Sequence, residues 1–159
     1  MNELRLLIAL LLYVALSWVD IRERRVPRIW QGAFLAWVIV DALWLTGGPG
    51  VWAAGLGLVA AGAVGYLLYG AGKLYGRWRE VDAVVFGLGD AHVLALSGAY
   101  LGAPAVPQML WRCVIFGGLL AISVLIARRL RRQPYHRELT IPYVPPMALA
   151  VGSLLLDIP

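Results

Sequence analysis

Only 14% of the 159 residues are charged, and the chain has one cysteine and two histidines. A soluble domain carries about 25% charged residues and about 45–50% apolar ones. Here apolar residues reach 61% and the mean hydropathy is +0.76. A soluble globule of this length lacks the interior to hide that much apolar surface. The scarcity of charge also excludes a disordered chain. The lone Cys113 excludes an internal disulfide and a multi-cysteine zinc site. His92 and His136 are far apart in sequence, so no structural metal site is expected and no cofactor is implied. What is present in abundance is long apolar runs, the mark of a polytopic membrane protein.

Six such runs can be read: Leu4–Ile21, Ile29–Thr46, Val51–Gly72, Ala83–Ala103, Met109–Ala127 and Ile141–Asp157. Each is about 17–22 residues, enough for a helix to cross roughly 30 Å of hydrocarbon. The expectation is an all-α protein with six transmembrane helices, forming one membrane domain over residues 1–159. Pro142, Pro145 and Pro146 fall in the first turns of the last run, where proline is tolerated.

The basic residues order these runs. Arg22, Arg24, Arg25 and Arg28 fill the first loop; Lys73, Arg77 and Arg79 the third; Arg128, Arg129, Arg131, Arg132 and Arg137 the fifth. The second and fourth loops carry no charge. Twelve of the 14 basic residues thus lie in alternate loops, leaving Arg5 and Arg112 elsewhere. The net charge of +5 therefore reads as orientation, not as nucleic-acid binding. Loops one, three and five are expected in the cytoplasm and both termini outside. The first run has the outline of a signal peptide, but four arginines directly after it argue against export of the chain beyond that run. Trp18, Trp30, Trp52, Trp78 and Trp111 sit near the expected boundaries, where indoles anchor. Gly98 and Gly102 have the spacing that lets helix backbones approach closely in lipid.

Ionisable residues within or at the edges of apolar runs are costly and point to function. The candidates are Asp20, Asp41, Asp90, His92 and Asp157. Asp20, at the end of the first run, and Asp90, in the fourth, fall on the expected cytoplasmic side at similar depth. Asp41 and Asp157 fall on the other. Two carboxyls held close cannot both ionise, so they share a proton and provide one base and one acid. Asp90 is preceded by Gly87-Leu88-Gly89, where two glycines remove side-chain bulk and let a substrate strand approach. Packing alone is the competing use for those glycines, and ending a helix beside Arg22 is the competing use for Asp20.

Three stretches together resemble the type IV prepilin peptidases, a family of Gly-x-Gly-Asp intramembrane aspartic proteases. The first is Asp20-Ile21-Arg22 followed by Val26-Pro27. The second is Gly87-Leu88-Gly89-Asp90 with the leucine-, alanine- and glycine-rich Leu94 to Gly102. The third is Ile141-Pro142-Tyr143-Val144-Pro145. They occur in the family's order. The resemblance implies an aspartic endopeptidase of the bacterial or archaeal cytoplasmic membrane. It would cut the short leader from prepilin or pseudopilin substrates of pilus or secretion systems at the cytoplasmic face. Asp20 and Asp90 would be the catalytic pair, with Gly87 and Gly89 as backbone support. Such a substrate has a short polar leader followed by an apolar helix. The chain opens directly on its first run and lacks paired Cys-x-x-Cys motifs. It therefore looks like the short, peptidase-only members, without methyltransferase activity. The family usually has lysine two residues after its second aspartate; His92 stands there and would tune the pair. Glu80 and Asp82, acidic in a basic surface, are expected to dock a basic leader. A small transporter or proton channel, or a non-catalytic pilus or secretion assembly subunit, would also explain intramembrane carboxylates. A transporter should show internal repeats, and none is evident.

Overall fold

The computed structural model describes residues 2–23, 25–44, 50–79, 86–130 and 142–156. Among them are six α-helices and no strand: α1 Asn2–Glu23, α2 Arg28–Trp44, α3 Gly50–Arg79, α4 Leu88–Leu101, α5 Val106–Leu130 and α6 Val144–Leu156. A short 3-10 turn, Ala103–Ala105, links α4 to α5. The protein is an all-α membrane protein, and its helices match the six apolar runs in order.

The boundaries differ from expectation in an instructive way. α3 continues through Lys73 and Arg77 to Arg79, and α5 includes Arg128 and Arg129, so these residues are helical and not in loops. Lysine and arginine are good helix formers, and long side chains can carry their charge out to an interface while the helix continues. α5 begins at Val106, three residues before the apolar run that announces it. α4 begins only at Leu88, behind non-helical Phe86 and Gly87. Among the described residues, three stretches are long and apolar enough to cross a bilayer: Glu3–Glu23, Gly50–Trp78 and Ala103–Ala127. Within the described residues α2 has 17 residues, and α4 and α6, which begin only at Leu88 and Val144, have 14 and 13.

α4 is short because it is central. Ala91 and every residue from Val93 to Tyr100 are buried, and the helix touches α2, α3, α5 and α6. A helix apolar on all sides is one enclosed by other elements. Its closest neighbour is α3. A Cβ placed on Gly57 would collide with the Gly98 carbonyl oxygen, and one on Gly98 would collide with the Gly57 carbonyl oxygen. Only two glycines permit that contact, so the small-residue reading of Gly98 holds. Gly102 ends α4 at φ +81°, a conformation that side chains rarely adopt.

α1 faces the interior with a stripe at helical spacing: Ala9, Tyr13, Leu16 and Asp20 are all buried. α2 does the same with Phe34, Val38 and Asp41. Outward-facing side chains are large and apolar along α1, α3 and α5, as lipid contact requires. Trp18, Trp52, Trp78 and Trp111 are among them, while Trp30 packs against the core.

Asp41 is almost wholly buried and forms an ion pair with Arg5, which also lies over the Tyr100 ring at 4.9 Å. This cluster joins the beginning of α1 to the ends of α2 and α4. Asp157, its expected companion, lies outside the described residues. Replacing Asp41 by Asn keeps an acceptor for Arg5 but removes the charge. The expected cost is about 1.5–3 kcal/mol, the scale of a hydrogen bond to a charged group. Thermal unfolding in detergent measures it.

Candidate active site

Asp20 is in the last turn of α1 and Asp90 is the third residue of α4. Seventy positions apart, they line one cavity of about 320 Å³, together with Gly87, Leu88, Gly89, Val26 and Gln31. Asp20 is close enough for its charge to act on Asp90. His92, Arg25 and Arg28 complete the lining.

Each carboxylate is held by a helix N-terminus. Asp20 Oδ2 accepts the Val144 N–H at 3.0 Å, where α6 begins, with a further contribution from the Tyr143 N–H. Between Pro142 and Pro146 only Tyr143 and Val144 possess an N–H at all. The proline-rich lead-in thus confines the donors to the two positions that face Asp20. Asp90 Oδ2 accepts the Gly87 N–H at 3.0 Å across the first turn of its own helix. The positive ends of α6 and α4 both stabilise negative charge at the cavity.

The faces of α1 and α4 are registered two turns deeper. The Tyr13 hydroxyl donates to Ser97 Oγ at 2.6 Å, and Ser97 Oγ donates to the Val93 carbonyl at 2.7 Å. Tyr13 precedes Asp20 by seven residues, and Ser97 comes seven after Asp90. Residues seven apart share a helix face. A bond that joins Tyr13 to Ser97 therefore also turns the two carboxyls toward one another.

The two glycines differ in what they permit. Gly87 is extended (φ −79°), so its backbone needs no glycine. Its space does: a Cβ there would lie 3.1 Å from Asp90 Oδ2, the oxygen its own N–H holds. A Cβ on Gly89 would make ordinary contacts of 3.4 Å with Val26 Cβ and 3.6 Å with Gln31 Nε2. Gly87→Ala should push the Asp90 carboxyl aside by a few tenths of an ångström and lower kcat by about tenfold, since misplacement of 1 Å costs about 10². Gly89→Ala should stay near wild type. Initial rates of the cleavage that the sequence leads one to expect, taken in detergent, compare the two.

His92 faces sideways, into a hydrogen-bonded row. Gln31 Nε2 donates to the Val26 carbonyl at 2.8 Å, which leaves Gln31 Oε1 to accept from His92 Nδ1 at 2.9 Å. His92 Nε2 meets the Tyr66 hydroxyl at 2.9 Å. The row ties the α1–α2 connection to α2, α4 and α3. Its other members escaped the sequence reading. Gln31 was legible as an uncharged polar residue within an apolar run; Tyr66 carried no signal.

Asp20, Asp90, Gly87, Gly89 and His92 thus converge on one cavity. Asp41 does not join them. Glu80 and Asp82 lie outside the described residues. The chain matches the family model described as the type IV leader peptidase family over residues 6–122. No curated protein and no solved structure matches it.

Proposed function

The chain belongs to the type IV leader peptidase family, and on that footing we propose that it is an intramembrane aspartic endopeptidase. It removes the short leader of prepilin-like proteins at the cytoplasmic membrane face. The observation that carries this reading is that Asp20 and Asp90, from separate helices, open into one cavity.

The pair shares one proton. The ionised carboxylate takes a proton from a water molecule, whose oxygen attacks the carbonyl carbon of the scissile bond. The protonated partner donates to the carbonyl oxygen, giving a tetrahedral diol. Collapse of the diol breaks the C–N bond. The carboxyl that received the water proton passes it to the departing amine, one diol hydroxyl returns its proton to the carboxylate that had protonated the carbonyl oxygen, and the pair returns to its starting state. Both helix N-termini offset the negative charge that moves between the carboxyls. His92 joins this group as a positioning residue through Gln31, and Glu80 and Asp82 serve to dock the basic leader.

The orientation of the chain supports the cytoplasmic assignment. The cavity is built at the end of α1 and the start of α4, beside Arg22, Arg25 and Arg28. Arginine-rich connections stay in the cytoplasm, which puts both termini outside.

The test is co-expression with a prepilin. Wild-type protein should convert it to a faster-migrating form whose new N-terminus lies directly after the leader. A prepilin from the same genome that remains uncut, with both proteins present in the membrane, would overturn the reading.

A further inference from the structure

Beside the aspartate cavity runs a second, apolar space of about 770 Å³ between α2, α3 and α4. Leu35 and Val59 line it and are exposed on the protein surface. Its polar groups are Arg28, Gln31, Tyr66 and His92, and Arg28, Gln31 and His92 also line the aspartate cavity. Groove and cavity therefore meet at the row of hydrogen bonds that crosses α2, α4 and α3. A third space of about 730 Å³, between α3, α5 and α6, shares no lining residue with the aspartate cavity.

We propose that the α2–α3–α4 groove receives the apolar helix of the membrane-inserted substrate, so that the residues just before that helix lie between Asp20 and Asp90. The inference rests on the peptidase reading above and adds the surface that holds the substrate. A helix in lipid satisfies its own backbone and needs only an apolar wall. At the His92–Gln31 row the wall becomes polar. There the substrate can leave its helical form, because side-chain donors and acceptors replace the lost backbone bonds. An extended strand continuing past the row arrives at the glycine-lined side of Asp90. The other space offers the same apolar wall but shares none of its lining residues with the aspartate cavity.

Gly32 provides the test. It lines the groove, and a Cβ built on it meets nothing within 4 Å. Leucine at that position occupies the groove without displacing the fold. Gly118 is its counterpart in the other space, also with nothing within 4 Å. With full-length prepilin, Gly32→Leu should raise KM about tenfold or more, a change of about 1.4 kcal/mol in binding, with kcat retained. Gly118→Leu should match wild type. A short peptide holding only the leader and cut site should be cleaved equally by wild type and Gly32→Leu. A photo-cross-linking residue at Val59, in protein carrying Asp90→Asn, should capture the prepilin. Failure of wild type to cut prepilin would sink the peptidase reading and this inference with it. Cleavage by wild type together with an unchanged KM in Gly32→Leu would sink the groove assignment alone. So would capture of a second copy of the chain, or of lipid only, at Val59.

Discussion

Asp20→Asn and Asp90→Asn should each abolish leader cleavage while the protein still accumulates in the membrane. Asparagine preserves the shape and an acceptor oxygen. The Val144 N–H that now bonds Asp20, and the Gly87 N–H that bonds Asp90, would still find a partner. The fold therefore has little reason to fail. What is lost is the capacity to take and return a proton, which contributes about 10²–10⁴ in rate for a positioned acid or base. Because the two carboxyls work as one unit, the double variant should be no worse than either single one. Asp41→Asn is the control: a buried aspartate outside the cavity, paired with Arg5. It should lose stability and keep cleavage. The measurement is conversion of co-expressed prepilin over time, normalised to the amount of enzyme in the membrane. Cleavage above about a hundredth of wild type in either single variant, below the loss expected of an acid or base, would break the pairing.

The candidate pair was legible because charge is rare in this chain, so each intramembrane carboxyl stands out. The arginine alternation then sorted them by side, grouping Asp20 with Asp90 and leaving Asp41 apart. The same reasoning failed for helix ends. Apolar windows stop where lysine and arginine begin, yet α3 runs on to Arg79. It also overlooked the donors that hold the carboxyls, since backbone N–H groups have no sequence signature. The proline-rich stretch before α6 carried the family resemblance, but its physical use became visible only where Val144 meets Asp20. The Tyr13–Ser97 bond was readable in principle. Both residues lie seven positions from an aspartate, and only the tertiary pairing of α1 with α4 gives that spacing its meaning.

The second large effect belongs to the seam between α3 and α4, on which the position of Asp90 depends. Alanine substitutions at four glycines of α3 should destabilise in the order of the space each lacks. Gly55 has nothing within 4 Å of an added Cβ, and Gly55→Ala should be neutral or slightly stabilising. At Gly62 the nearest atom is Ala95 Cβ at 3.4 Å, an ordinary contact that costs little. At Gly65 it is Ala91 Cα at 3.0 Å, and the two helices must part by a few tenths of an ångström. At Gly57 an added Cβ would run into the Gly98 carbonyl oxygen and lie 2.7 Å from its carbon. Neither atom can swing away, because both belong to the backbone of a helix buried on nearly every side. Overpacking usually costs about 1–3 kcal/mol, and Gly57→Ala should exceed that range, with Gly98→Ala close behind. Because both remove the same contact, combining them should cost less than their sum. Thermal unfolding of the purified protein in detergent gives the ranking. Equal stability of Gly55→Ala and Gly57→Ala would mean that α3 and α4 do not meet at these glycines, and the support for Asp90 would have to be sought elsewhere. Cleavage should fall in the same order. Separating α4 from α3 also draws His92 away from Tyr66 and shifts the first turn that carries Asp90.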